Sequence, residues 1–119
     1  MLFRSGDALW VGANQGWNNA DADSLLEEKD GVYTFTVTFT ADTEYKGGRI
    51  VKPASWDTLG GWDEVDDASK ALLDDAFDPA KTDADGKSVN GDKNLVFKEA
   101  GTYVITFDLL GKKITITKQ

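Results

Sequence analysis

The tryptophans offer the most distinctive chemistry in this sequence, because their flat apolar rings can stack on a ligand. The chain has four tryptophans among 119 residues. Trp10 lies in a short apolar run, which predicts that it packs in the core. Trp17, Trp56 and Trp62 instead lie in polar, turn-like stretches. A tryptophan in such a loop either covers the end of the core or stands exposed as a platform, and we expect at least one platform among the three.

Two basic residues lie close to one of these loops in the sequence, and one amide precedes a later predicted strand. Arg49 and Lys52 precede the Trp56 loop, and Asn94 precedes the apolar run that begins at Leu95. Polar groups beside an aromatic ring suit a sugar, because one face of a pyranose is apolar and its hydroxyls point sideways. The candidate glycan-binding residues are therefore Trp17, Trp56, Trp62, Arg49, Lys52 and Asn94. The alternative interpretations are a solvated or ion-paired strand face for the two bases and a turn residue for the asparagine.

The composition excludes several functional classes. The chain has no Cys and no His, so it can form no Cys/His zinc site, no Ser-His-Asp triad and no cysteine nucleophile. Its 13 basic and 21 acidic residues give a net charge of −8, which argues against nucleic-acid binding. A glycoside hydrolase needs two carboxylates at a fixed separation, whereas most acids here crowd one stretch. We therefore expect a protein that is not an enzyme, has no cofactor and does not insert into a membrane.

The acidic residues are concentrated in one segment. Residues 63–85 hold nine acids and two bases, a charge of −7, so the rest of the chain sums to −1. We interpret residues 63–93 as an acidic insertion into a near-neutral domain, most simply a solvated loop. Good helix formers over residues 66–77, with acids at the start and a proline beyond the end, predict one helix there. Asp83 and Asp85 match the start of a calcium loop, but the later ligands are missing, which leaves calcium as a weak candidate.

Alternating residues predict the strands. From Val32 to Thr40, aromatic and β-branched residues alternate with threonines, which is typical of a half-buried strand with its threonine face in water. Residues 102–108 repeat the pattern and residues 113–117 follow after a turn, which predicts a C-terminal hairpin. Weaker strands are predicted at residues 8–12, 25–26, 48–52 and 95–98. The predicted core residues are Leu9, Val11, Tyr33, Phe35, Val37, Phe39, Ile50, Leu95, Phe97, Tyr103, Ile105, Phe107, Ile114 and Ile116.

The strand count predicts the fold class. About seven short strands separated by turns indicate an all-β protein, an antiparallel β-sandwich of immunoglobulin-like size. The length falls in the usual range for one domain. We therefore expect residues 1–119 to form a single module, in which the acidic insertion holds the one helix.

Several segments follow the order of a known family. These segments are Ala8–Gly12, Gly16–Trp17, Asp30–Thr36, Arg49–Val51 and Asn94–Leu109. Together they resemble the tandem starch-binding domains of the SusE/SusF outer-membrane lipoproteins of gut bacteria. The most similar segment is the last, in which Ala-Gly-Thr-Tyr leads into an alternating strand. The resemblance covers most of the chain apart from residues 63–93.

The resemblance implies non-catalytic binding of a starch-like α-glucan. In such domains two aromatic residues cradle the curved glucan, while a basic side chain and an amide bind its hydroxyls. Carried over to this chain, Trp17 is one platform and Trp56 or Trp62 is the other. Arg49 is then the basic donor and Asn94 the amide. The resemblance also implies a location outside the cell or on the bacterial surface, within a larger multidomain protein.

Two alternatives stay open at this point. The module could bind a different polysaccharide, since only the resemblance selects α-glucan. It could instead be a structural spacer or a protein-interaction module of a larger secreted protein. In that case the acidic insertion would be the contact surface, and association would weaken with salt.

Overall fold

The structure, a computed structural model, describes residues 6–119 and contains eight strands. In chain order they are β1 (Leu9–Gly12), β2 (Glu27–Lys29), β3 (Val32–Phe39), β4 (Gly47–Val51), β5 (Thr58–Gly60), β6 (Leu95–Val96), β7 (Gly101–Asp108) and β8 (Lys113–Lys118). The helical segments of this part of the chain are short 3-10 turns at Ala13–Gln15, Ala22–Ser24, Trp62–Glu64, Ser69–Leu72 and Asp75–Phe77. The strands form two antiparallel sheets, which confirms the predicted all-β class.

One sheet, called the β3 sheet below, has the strand order β2-β3-β7-β8. β3 pairs along its whole length with β7, from Val32 opposite Asp108 to Phe39 opposite Gly101. The threonines of β3 are exposed, while its aromatic and valine side chains at alternate positions point inward and are buried or half-buried. The alternation in the sequence therefore predicted this strand and its orientation correctly.

The other sheet, called the β4 sheet below, is centred on β4. β1 pairs with one edge of β4. On the opposite edge, the first two residues of β4 pair with β6 and the last two pair with β5. Arg49 lies between these two pairings. The edge of β4 thus changes its partner at Arg49, one of the candidate glycan-binding residues.

The two faces of the β4 sheet have different surroundings. Residues directly opposite each other in an antiparallel pair point to the same face. Trp10 and Ile50 therefore share one face, and Val11 and Arg49 share the other. Trp10 and Ile50 belong to the main core between the sheets. The outer face carries a separate small cluster of Leu9, Val11 and Val51, against which Trp17 and Leu25 pack.

Most of the predicted core is confirmed. Twelve of the 14 predicted residues lie in the main core or, for Phe35, pack against it. Leu9 and Val11 are buried as expected, but they lie on the outer face of the β4 sheet, under the loops. The sequence does not reveal this second layer, because β1 is buried on both faces and an apolar run of this kind does not show which face meets the other sheet.

The acidic insertion is tied to both sheets. Val65 and Leu73 are buried in the main core, and Leu73 forms a bridge with Phe97. The Ser69 hydroxyl accepts a hydrogen bond of 2.8 Å from the backbone amide of Ile116 on the edge strand β8. The first half of the insertion is therefore part of the folded domain and not a free loop.

The predicted helix over residues 66–77 is wrong. The segment forms the two turns Ser69–Leu72 and Asp75–Phe77, with Leu73 extended between them. Leu73 needs an extended backbone to form its strand bridge. Asp74 accepts a hydrogen bond from the backbone amide two residues on, and such bonds favour turns over helix interiors.

Two strand predictions also differ from the structure. In place of a strand at residues 25–26, Leu25 forms a single bridge with Leu9, and β2 begins two residues later. β5 lies in a stretch between Trp56 and Trp62 that the sequence indicated as loop. Across residues 6–119, no helix has the length and apolar character needed to cross a membrane.

Candidate functional site

An open cleft of about 520 Å³ gathers most of the predicted site residues. It is lined by Trp17, Tyr45, Arg49, Trp56, Asp92 and Asn94. Four of these six residues were predicted from the sequence, and Tyr45 and Asp92 were not. Because Arg49 points to the outer face of the β4 sheet, the cleft lies on that face and not between the sheets.

Arg49 sits at the base of the cleft and is only 7% exposed. Its Nε donates to Thr58 Oγ1 at 3.0 Å. Its Nη1 donates to Asn94 Oδ1 at 3.3 Å, and its Nη2 donates to the backbone oxygen of Trp56 at 3.3 Å. These acceptors come from the loop before β5, from β5 itself and from the residue before β6. Arg49 therefore fastens together the segments that meet at the edge of β4.

The partners of Arg49 are all neutral. Within residues 6–119, no carboxylate lies within 4.0 Å of its guanidinium. A guanidinium has five N–H groups, so two of them lack a partner among these contacts. A buried cation without a counter-ion is costly unless a ligand or water completes its hydrogen bonds. The arrangement therefore offers donors to a ligand in the cleft.

Trp17 is half-buried and belongs to both the fold and the cleft. One part of its ring packs on the small outer cluster of the β4 sheet. The residue has a φ of 59°, in the left-handed region that non-glycine residues seldom adopt. Gln15 fixes this loop, because its Oε1 accepts from Gly12 N at 3.3 Å and from Asn18 N at 2.7 Å. Such strained conformations persist where surrounding contacts enforce them, often at functional sites.

Trp56 is the exposed platform of the cleft, with 54% of its surface accessible. The guanidinium carbon of Arg49 lies 5.7 Å from its ring centroid, within cation–π range. The backbone of its loop is closed by a hydrogen bond of 3.1 Å from Lys52 N to Asp57 O. The ring is therefore held near the buried cation while about half of the residue stays exposed to water.

The two tryptophan loops are bonded to each other. The backbone amide of Ala54 donates to the carbonyl oxygen of Asn19 at 2.7 Å. Ala54 itself has a φ of 59°, so the second loop also contains a left-handed residue. This bond couples the position of Trp17 to that of Trp56.

Tyr45 is an aromatic residue of the cleft that the sequence did not reveal. Its ring centroid lies 6.0 Å from that of Trp17, with an interplanar angle of 33°. Its hydroxyl accepts a hydrogen bond of 3.0 Å from Asn94 Nδ2, which leaves its own proton available to donate. A side chain at Gly47 would meet this ring, since a Cβ there would come within 2.5 Å of Tyr45 Cε2. The Tyr45 ring can therefore occupy this place only because residue 47 has no side chain.

The Tyr45 phenol stays protonated in this environment. Burial raises its pKa above the ordinary value, the hydrogen bond from Asn94 opposes the rise, and the charges of Asp92 and Arg49 act in opposite directions. Asn94 is 6% exposed and links the phenol to Arg49 through the two ends of its amide. Asp92 is exposed and supplies the one carboxylate among the lining residues. The cleft thus carries one positive and one negative group.

Two predicted site residues do not line the cleft. Trp62 is 5% exposed and packs in the main core, which excludes it as an exposed platform. Lys52 is exposed but lies outside the lining residues. Trp10 is fully buried, as predicted, and its indole N–H donates to Asn14 Oδ1 at 2.8 Å. Of the two tryptophans considered beside Trp17, Trp56 therefore lines the cleft and Trp62 does not.

The residues considered for calcium form an exposed turn. Asp83 Oδ1 accepts hydrogen bonds from Asp85 N at 2.9 Å and from Lys87 N at 3.1 Å. In the part of the chain that the structure describes, no group of three or more acidic residues could hold a metal ion. The weak calcium candidate thus gains no support from the geometry.

Tyr45 and Asp92 were missed because neither lies in a pattern that points to a site. Tyr45 stands alone in a polar connection between strands, and Asp92 is one acid among many in and near the acidic segment. Gly47 and Gly48 follow soon after Tyr45, and glycines within a strand often mark the close approach of a neighbouring group. These glycines were the one signal that could have pointed to Tyr45.

Comparison with known proteins gives no match. No family model matches the chain, and neither the curated proteins nor the solved structures contain a significant match.

Proposed function

We propose that this chain is a non-catalytic carbohydrate-binding module that binds a starch-like α-glucan in the cleft. The observation that carries the proposal is the pairing of an exposed tryptophan, Trp56, with the buried Arg49 at 5.7 Å. A stacking surface and a donor that lacks a counter-ion are the two groups that bind the apolar face and the hydroxyls of a sugar.

The proposed binding mode assigns a role to each lining residue. One sugar ring stacks on Trp56 and a neighbouring sugar contacts the Trp17–Tyr45 pair. The two remaining N–H groups of Arg49 and the Tyr45 hydroxyl donate to sugar hydroxyls. Asp92 accepts from them. One positive and one negative group in the cleft suit a neutral polysaccharide better than an acidic one.

The α-glucan part of the proposal rests on the resemblance to SusE/SusF starch-binding domains. The same resemblance supports a location outside the cell or on a bacterial surface, in a multidomain protein. Two ring contacts and a few hydrogen bonds in an open cleft give a binding free energy of about −4 to −5.5 kcal/mol. This corresponds to a Kd of roughly 1 to 0.1 mM. Useful binding would then depend on several such modules acting together.

Native electrophoresis in gels that contain starch, xylan, β-glucan or no polysaccharide tests the proposal. We expect selective retardation by starch. Retardation by another polysaccharide alone would keep the site but contradict the α-glucan assignment. Migration that no polysaccharide changes would favour the spacer or protein-interaction alternative.

Trp56→Ala ties retardation to the cleft. The variant should lose retardation in starch, while its free energy of unfolding stays within about 0.5 kcal/mol of the wild type because the ring is largely exposed. Leu110→Ala is the matched control, since Leu110 is a 92% exposed apolar residue outside the cleft. Equal losses in both variants would show non-specific apolar retention.

A further inference from the structure

The acidic insertion returns to the β4 sheet beside the cleft, and Asn90 is the residue that anchors this return. Its side chain is buried, with 6% exposure. Its Nδ2 donates to Phe77 O and to Asn94 O, both at 2.9 Å. Its Oδ1 accepts from Asn94 N at 3.0 Å. A single amide thus satisfies three backbone groups where the chain leaves the insertion.

Of the two residues that Asn90 anchors, Asn94 lines the cleft and Phe77 packs against Tyr45, which also lines it. The Phe77 ring meets the Tyr45 ring edge-on, with centroids 5.5 Å apart and an angle of 80°. Asn94, held by Asn90 through its backbone, directs its side-chain amide to Tyr45 and to Arg49. Asn90 itself does not line the cleft.

We infer that Asn90 is a positioning residue for the glycan site, and that the acidic insertion forms one wall of the cleft. Through Asn94 and Phe77 it fixes Tyr45 and Arg49, and Arg49 in turn contacts Trp56. The insertion also contributes Asp92 directly to the cleft. This inference rests on the proposed function for its ligand, while its geometry can be measured without a ligand.

Asn90→Asp is the sharpest variant, because the two side chains have almost the same volume. Aspartate keeps an oxygen that accepts from Asn94 N. Its second oxygen replaces the Nδ2 donor and faces the carbonyl oxygens of Phe77 and Asn94. We expect starch affinity to fall about tenfold, as is common for residues that orient binding groups. A role in packing volume alone predicts no change.

Asp83→Ala is the matched control in the same insertion. It removes the hydrogen bonds that close the exposed tip turn, and none of the lining residues belongs to that turn. We expect unchanged affinity for starch. An equal loss in Asp83→Ala and Asn90→Asp would overturn the inference, because any loosening of the insertion would then suffice.

Phe77→Leu covers the case in which Asn90→Asp unfolds the insertion. Leucine keeps the apolar contact but removes the aromatic edge from Tyr45, and we expect about a threefold loss of affinity. If Asn90→Asp does not fold, unchanged affinity and unchanged spectra in Phe77→Leu would overturn the inference.

A ligand-free readout separates this inference from the proposed function. In two-dimensional ¹H–¹⁵N NMR spectra, Asn90→Asp should shift the indole signals of Trp17 and Trp56 and the Nε–H signal of Arg49, and leave that of Trp10 in place. Phe77→Leu should do so more weakly. A wild type that binds no polysaccharide would refute the proposed function, and these shifts would still decide the positioning role. Unshifted cleft signals in a folded Asn90→Asp variant would overturn it.

Discussion

The two faces of the β4 sheet are both buried but are covered in different ways. On the inner face, Trp10 and Ile50 are sealed by the β3 sheet and have no access to water. On the outer face, Val11 and Arg49 are covered only by loops, and the cover leaves a cleft. The inner face is closed by a continuous sheet and the outer face by bonds between loops. We therefore expect substitutions inside to change stability and substitutions outside to change binding.

Among the substitutions that test this comparison, Trp10→Ala should cause the largest change in the free energy of unfolding. Truncating a fully buried tryptophan removes apolar contacts and leaves a cavity, and we expect a loss of about 3–5 kcal/mol in the free energy of unfolding. Urea denaturation followed by fluorescence measures it. A loss below about 1 kcal/mol would mean that the inner face is not the main source of stability.

Trp17→Ala should change both stability and binding, because the ring packs on the outer cluster and also lines the cleft. We expect a stability loss of about 1–2 kcal/mol together with loss of starch retardation. Trp17→Phe is the control, because it keeps an aromatic ring and should retain part of the stability and part of the starch retardation. Full stability in Trp17→Ala would assign the residue to the ligand site alone.

Arg49→Met should separate binding from stability most clearly. Methionine keeps a shorter, unbranched apolar side chain and removes both the buried charge and its three hydrogen bonds. Because the loss of these bonds opposes the gain from removing a charge without a counter-ion, we expect the free energy of unfolding to change by less than about 2 kcal/mol. Starch affinity should fall at least tenfold, by roughly 1.4 kcal/mol. Denaturation and gel retardation on the same sample provide the two numbers. A stability loss above about 2 kcal/mol would show that Arg49 mainly holds the loops together.

The smallest expected effect is that of pH. The chain has no His, so starch affinity should vary by less than about twofold between pH 6 and 9. The raised pKa of Tyr45 keeps its phenol neutral in this range. Its contribution to stability is present below the ordinary pKa of about 10 and is lost as the pH rises through the raised value. Affinity should fall over the same alkaline range in the wild type and stay flat in Tyr45→Phe.

Local patterns predicted three of the four strands of the β3 sheet, all except β2, and could not predict how the cleft is assembled. The alternation in β3, β7 and β8 follows from the two faces of a strand, so a few neighbouring residues suffice to predict it. The cleft depends instead on contacts such as that between Arg49 and Asn94, which are 45 residues apart. Four of its residues could be predicted because their types alone suggest sugar binding.

The remaining differences have the same physical origin. Trp56 and Trp62 lie in one polar stretch, and the sequence cannot distinguish them because burial of Trp62 depends on residues elsewhere in the chain. The failed helix over residues 66–77 shows tertiary pairing of Leu73 overriding the local preference. Tyr45 becomes a site residue only through the glycine and the insertion that surround it.

The hydrogen bond from the Ile116 amide of β8 to the Ser69 hydroxyl affects how copies of the protein can associate. A neighbouring molecule can extend a sheet only where an edge strand presents unpaired backbone groups. Ser69 occupies the amide of Ile116, and the Asp66 amide donates to Ile114 O at 2.9 Å. The opposite edge, β2, is three residues long and consists of charged side chains. The β3 sheet therefore resists intermolecular strand addition, even where many copies are concatenated or packed together. Shortening the acidic segment would remove both its charge and its hydrogen bonds to β8, and we expect this edge then to be open to strand addition.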